Sequence, residues 1–217
     1  MTRVVLLICF PKSGDRESGC LEECQKQMDA IVSEGKYSFS LFLNNEGSEG
    51  ALSVRQKASG EGTDLYIWID CDLALKEDAL RCLLENSEFL RHKAVIAGSV
   101  VGVGKDIVFG GRSRRGRLIT PDPIIPVPCH LYDLSLVLIP EYAFSRLENP
   151  ADFFRRGMLG GFYGKKVADA DVARVVAPGI LASTDRQPDI PEVSLFHFFF
   201  SFKGFFSKFK GHNKDNH

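Results

Sequence analysis

Asp70-Cys71-Asp72 closes the apolar run Leu65-Tyr66-Ile67-Trp68-Ile69 and brings two carboxylates within one residue of each other. Hard oxygen donors of this kind suit Mg²⁺ or Mn²⁺, which keep further coordination positions for a diphosphate. An ion held there would neutralise a departing nucleoside diphosphate as a Lewis acid. Residues i and i+2 of an extended chain project to one side, which predicts that both carboxylates reach a single point. The competing reading is a plain polar turn, since aspartate is favoured where a strand gives way to a loop.

The second concentration of chemistry is basic: Gly111-Arg112-Ser113-Arg114-Arg115-Gly116-Arg117. Guanidinium groups pair with phosphate through two hydrogen bonds at once, so this run could hold an acceptor's diphosphate or a lipid headgroup. The alternative is a solvated loop, whose glycines would also fit a closing lid. His92, His130, His197, His212 and His217 lack the spacing of a zinc site. There is no Gly-x-Ser-x-Gly elbow and no phosphate-binding P-loop, which argues against hydrolase and NTPase chemistry. Six cysteines occur without a CxxC pair and are expected as reduced cytosolic thiols.

These residues must be positioned by strands and helices, and the pattern supplies both. Arg3 to Phe10 is continuous and apolar, as in a strand covered on both faces. Leu21, Cys24, Met28, Ile31 and Val32 recur at helical spacing before Gly35, and Tyr37 to Leu43 is again strand-like, giving one βαβ unit. A helix is expected over Leu52–Ser59, a strand over Leu65–Ile69 ending in the acidic turn, and a helix over Lys76–Phe89. Further strands are predicted at Ala94–Val101, Asp106–Phe109, Tyr132–Ile139 and Val172–Val176, the last closed by Pro178-Gly179. An extended connection is expected over Pro121–Pro128 and a helix from Glu141. The alternation predicts an α/β fold with a doubly wound, mostly parallel sheet and helices on both faces.

At 217 residues, 44% hydrophobic and 25% charged, the chain suits one sizeable core. A net charge of -1 gives no bulk field for nucleic acid. Met1–Phe10 is too short an apolar run for an export signal, and no run reaches the ~18 apolar residues of a membrane span. The expected location is therefore cytoplasmic. Residues 1–190 are expected to form the domain and 191–217 an appendage, since eight of the 17 phenylalanines fall between Phe196 and Phe209 among lysines. That segment could lie on the inner membrane face, pack on the domain, or join two copies.

Several stretches, in order, resemble bacterial family 2 glycosyltransferases. Leu65 to Leu80 looks like that family's YLWLNDDVxLxPDAL signature, and Asn44 to Gly50 its DNGSTDG loop. Phe109-Gly110-Gly111 resembles YGG, Val137 to Phe144 xLIPxEVF, Val175 to Gly179 YVAPG, and Phe200 to Gly204 FSPKG. The resemblance implies a GT-A fold and an inverting transfer of a sugar from a nucleotide-diphosphate donor to a glycan or lipid-linked acceptor. By the same resemblance Asp70 and Asp72 are the metal and diphosphate ligands, for Mn²⁺ or Mg²⁺. Pro11, Asn44, Asn45 and Glu46 become nucleotide-side contacts, and Gly110, Gly111 and Arg112 are expected on the substrate side.

The chain departs from the family pattern at three places. A strand that helps hold the nucleobase has no counterpart before Tyr66, and Asn44 or Asn45 replaces the loop's first aspartate. The motif that supplies the catalytic base falls on Gly160 to Lys166, where Gly161 and Tyr163 stand at the acid positions. Tyrosine, with a reference pKa of about 10, is no base near neutrality. Asp152 is the candidate that takes over, with Asp169 the nearest acid beyond. The alternative to an enzyme is a non-catalytic relative that binds a nucleotide sugar or a protein. A nucleotidyltransferase would carry a glycine-rich loop where Pro11-Lys12-Ser13-Gly14 stands.

Overall fold

The computed structural model describes residues 1–9, 18–44, 53–54, 56, 62–146 and 171–185. All of them fall within one compact unit, Met1–Gln187. Strand β1 (Thr2–Cys9) leads to helix α1 (Ser18–Val32) and then β2 (Tyr37–Asn44). Next come β3 (Leu65–Asp70), β4 (Ala74–Leu75), helix α2 (Ala79–Phe89) and β5 (Ala94–Val101). β6 (Ile107–Phe109), β7 (Gly111–Arg112), β8 (Val127–Pro128) and β9 (Leu131–Tyr132) are short. β10 (Leu136–Pro140), helix α3 (Glu141–Phe144) and β11 (Ala173–Ser183) complete the described chain.

Among the described residues nine strands form one sheet in the order β2-β1-β3-β10-β5-β11-β4, with β6 on β5 and β8 on β11. β1 pairs in parallel with both β2 and β3, and β5 with β11. β10 runs antiparallel between the two parallel groups. The continuous apolar runs have the cause expected of them, a core on each face. Val4, Leu6, Ile8, Ile67 and Leu138 pack under α1 and α2 with Cys24, Met28, Leu80 and Leu83. Val5, Leu7, Trp68, Val137 and Ile139 point the other way, toward Tyr132 and Phe144 of α3. The Tyr66 and Phe144 rings meet edge-on at 5.1 Å.

Three boundaries differ from the sequence reading. The segment Lys76–Asp78 is a turn, and α2 begins only at Ala79. Asp78 makes no side-chain cap there; instead Gln27 of α1, buried, accepts the Leu80 N–H at 3.0 Å and donates to the Lys76 carbonyl at 2.7 Å. One side chain thus satisfies an orphan donor of a neighbouring helix. The Tyr132–Ile139 run is two strands, split by a turn at Asp133 whose carboxylate binds Arg112. Pro178-Gly179 does not end β11: the strand passes through them with a register shift, Gly179 taking φ +68. Of the predicted Leu52–Ser59 helix, Ser53, Val54 and Gln56 are described and helical.

Candidate functional site

Three adjacent parallel strands end in one row, since Cys9 is in register with Asn44 on one side and Asp70 on the other. That row is the carboxyl edge of the sheet, where open α/β folds bind ligands. Asp70 is the last residue of β3 and is 4% exposed. Its N–H donates to the Ser135 carbonyl at 2.8 Å, and its own carbonyl accepts the Leu73 N–H at 3.2 Å. The chain therefore turns across Asp70-Cys71-Asp72-Leu73, and the i, i+2 rule of an extended strand stops applying at Asp70.

Different elements hold the two carboxylates. Trp68, two residues before Asp70 on β3, donates its indole N–H to Asp70 Oδ1 at 3.2 Å. Asp72 is half-buried at the end of β11, where the Thr184 hydroxyl lies 3.4 Å from its Oδ2. Thr184 is in turn fixed by its N–H on the Val101 carbonyl of β5 at 2.9 Å. Beneath the turn the Cys20 thiol at the start of α1 faces the Asp70 carbonyl at 3.8 Å. Asn44 is buried and its amide reaches Cys9 Sγ at 3.6 Å, a weak donor-to-sulfur contact.

Among the described residues no three His, Cys, Asp or Glu side chains gather as a metal cage. Asp70 and Asp72 are hard oxygen donors of the kind Mg²⁺ and Mn²⁺ take, ions that draw their other ligands from substrate and water. Zinc in a closed structural site wants four protein ligands, usually sulfur or nitrogen, and this donor set does not match it.

The other sequence-predicted residues divide. Asn44 joins the row with Asp70. Pro11, Asn45, Glu46 and Asp152 lie outside the described residues, as do Gly161, Tyr163, Asp169 and the Phe/Lys segment. Gly110, Gly111 and Arg112 sit beyond β5, two strands from β3 in the sheet order. Gly110 has φ +152, and a Cβ on Gly111 would lie 2.2 Å from Val176 Cγ2, so backbone conformation accounts for the first glycine and packing for the second. Arg112 Nε contacts both Asp133 oxygens, at 3.2 and 3.1 Å, and its Nη1 donates to the Gly116 carbonyl at 3.1 Å. Arg112 thereby shapes its own loop, while Arg114, Arg115 and Arg117 are exposed. Sequence reasoning passed over Trp68 and Thr184. Strand alternation puts Trp68 on the same face as Asp70 and could have found it; Thr184, 112 residues from Asp72, carries no local signal.

No family model matches the chain, and no curated protein matches it by sequence. Solved structures do. A197 from STIV superposes with a TM-score of 0.50 at 10% identity, over 82% of this chain and 83% of that one. GalNAc-T7, solved with UDP, GalNAc and Mn²⁺, superposes with a TM-score of 0.51 at 11% identity, over 87% of this chain and 44% of that one. This chain thus spans less than half the length of GalNAc-T7. The likeness is one of fold: the chain has a GT-A-like α/β architecture, the α/β class as its alternating elements predict and the GT-A type as the resemblance implies.

Proposed function

We propose that the chain binds a nucleoside-diphosphate sugar with a divalent cation at the Asp70–Asp72 turn and transfers the sugar to an acceptor hydroxyl. The observation that carries this reading is the row Asn44, Cys9, Asp70 at the carboxyl edge of three adjacent parallel strands, with Asp72 immediately beyond. It is supported by the shared fold with GalNAc-T7, whose structure contains UDP, GalNAc and Mn²⁺. Asp70 and Asp72 would hold the ion, which supplies charge neutralisation for a departing diphosphate. Trp68 and Thr184 orient the two carboxylates through the hydrogen bonds described above. Asn44 offers an amide to the nucleotide side. Asp152 is the proposed base that takes the acceptor's proton as its oxygen attacks, giving inversion at the sugar carbon.

A second reading keeps the binding and drops the transfer. Gly161 and Tyr163, at the positions where the resembled family carries its acids, favour it. Calorimetry with UDP, GDP, CDP and dTDP, each with and without Mn²⁺, tests the shared part. Metal-dependent binding lost in Asp72→Ala is the expected result, and absence of binding to every nucleotide sinks both readings. Sugar-nucleotide consumption with an acceptor set then separates them. Turnover that falls ~10²–10⁴-fold in Asp152→Asn supports the base, and turnover unchanged in that variant removes it.

A further inference from the structure

The Pro123-Ile124-Ile125-Pro126 tip is unusual for what it exposes and for how firmly it is held. Ile124 is 80% exposed and Ile125 59%, the one sequence-adjacent pair among the exposed large hydrophobic residues described. A floppy loop could fold such side chains away. Here Asp122 Oδ1 accepts the N–H of Ile124 at 2.8 Å and of Ile125 at 3.0 Å, and the Asp122 carbonyl accepts the Gly179 N–H at 2.8 Å. The tip is therefore tied to the register-shifted part of β11 with its two isoleucines turned out. Fixing them in advance removes most of the ordering cost of burying them in a partner.

The same excursion of chain carries the exposed arginines. Ser113 N–H donates to the Arg117 carbonyl at 2.8 Å and the Arg117 N–H to Ser113 Oγ at 3.2 Å, closing a tight hairpin that presents Arg114 and Arg115. Arg117 and Asp122 are five residues apart, which keeps their Cα atoms within roughly 18 Å. Between Gly110 and Val127 four arginines stand against the single Asp122, in a chain whose net charge is -1. Arg112 is paired with Asp133, and the three exposed arginines still outnumber Asp122, so the excursion is cationic and apolar-tipped.

We propose that this excursion docks the protein on an anionic lipid surface, with Ile124 and Ile125 entering the acyl boundary and Arg114, Arg115 and Arg117 pairing with headgroup phosphates. Two isoleucines offer far less than the ~800 Å² per partner of a specific protein interface. The excursion also holds no aromatic residue on which a nucleic-acid base could stack. A fluid bilayer needs neither extensive shape complementarity nor stacking. The proposal does not depend on nucleotide binding, and it differs from any contact made by the C-terminal Phe/Lys segment.

Co-sedimentation of the full chain with sucrose-loaded phosphatidylcholine vesicles, with and without phosphatidylglycerol, tests it. Binding is expected on the anionic vesicles only, and it should fade in 1 M salt, where the screening length falls to about 3 Å. Ile124→Ser/Ile125→Ser should abolish binding, and Arg114→Ser/Arg115→Ser should weaken it by roughly fivefold per arginine. All four side chains are exposed, so an unchanged thermal midpoint certifies that each variant is folded. Binding that both variants retain overturns the proposal and points to the remainder of the chain. Absence of vesicle binding overturns it too, as does a dimer on sedimentation that Ile124→Ser/Ile125→Ser dissolves, which would assign the tip to a second copy.

Discussion

Trp68 joins the core to the acidic turn with one side chain. Its ring fills the second core at 1% exposure, and its N–H ends on Asp70 Oδ1. Trp68→Phe keeps most of the apolar volume and removes only the donor. Partners that orient metal-ligating carboxylates typically matter ~10–100-fold in metal affinity. We expect Trp68→Phe to weaken Mn²⁺-dependent nucleotide binding by about tenfold while the fold survives, measured by calorimetry and circular dichroism. Equal affinity in the variant removes Trp68 from the site. The cysteines give an independent check on burial. None of the six is in a disulfide, and Cys82 alone is only partly buried. Burial pushes the Cys129 thiol up to about 12 and raises Cys82 as well, while the Cys24 thiol is raised first by its hydrogen bond with Cys20 and then by burial. Thiolate is the reactive form, so the native protein should react sluggishly with Ellman's reagent at pH 8, Cys82 first, and yield six fast thiols once unfolded. These residue properties were only partly legible in advance. Asp70 and Asp72 stand out by type and spacing, but a hydroxyl such as Thr184 becomes their neighbour only when β11 closes beside β5.

The elements show where sequence periodicity informs and where it stops. Strands β1, β3 and β5 follow from unbroken apolar runs, because both faces of the sheet are covered and no alternation is required. The start of α2 does not follow from its own residues: Glu77 and Asp78 look like N-terminal acids, yet the cap comes from Gln27 on another helix. Gln27→Leu should leave the Leu80 N–H buried without that acceptor, costing about 1–3 kcal/mol in chemical denaturation. A cost below a few tenths would show that water replaces it. The glycines test local geometry more sharply. Gly179→Ala meets open space but must hold φ +68, a strain of about 1–2 kcal/mol. Gly111→Ala instead drives a methyl to 2.2 Å from Val176 Cγ2 and 3.0 Å from Cys129 Cβ, neither of which can swing aside easily. Overpacking of that kind typically costs about 1–3 kcal/mol, and we expect the upper part of the range. Pro178-Gly179 reads as a strand terminator in the sequence, and β11 passes through it because the register shift releases the pairing that proline cannot make.

At the scale of the whole molecule, the antiparallel β10 joins the two parallel groups of strands into one sheet. It carries the sheet from β3 to β5, and Asp72, just past β3, meets Thr184, just past β11, although 112 residues separate them. A ligand seated at the carboxyl edge would therefore join segments that meet only in the folded state, and its binding energy would appear as folding stability. At a free ligand concentration 100 times Kd the gain is about 2.7 kcal/mol. For a domain of this size that corresponds to a rise of roughly 5–10 °C in the thermal midpoint. The rise should require nucleoside diphosphate and Mn²⁺ together, and Asp72→Ala should lack it while keeping its midpoint without ligand near that of the parent, since Asp72 is only half-buried. Mn²⁺ alone giving the full rise would mean that the ion serves the fold and not a bound diphosphate. A rise in Asp72→Ala equal to the parent's would move the nucleotide away from the carboxyl edge altogether.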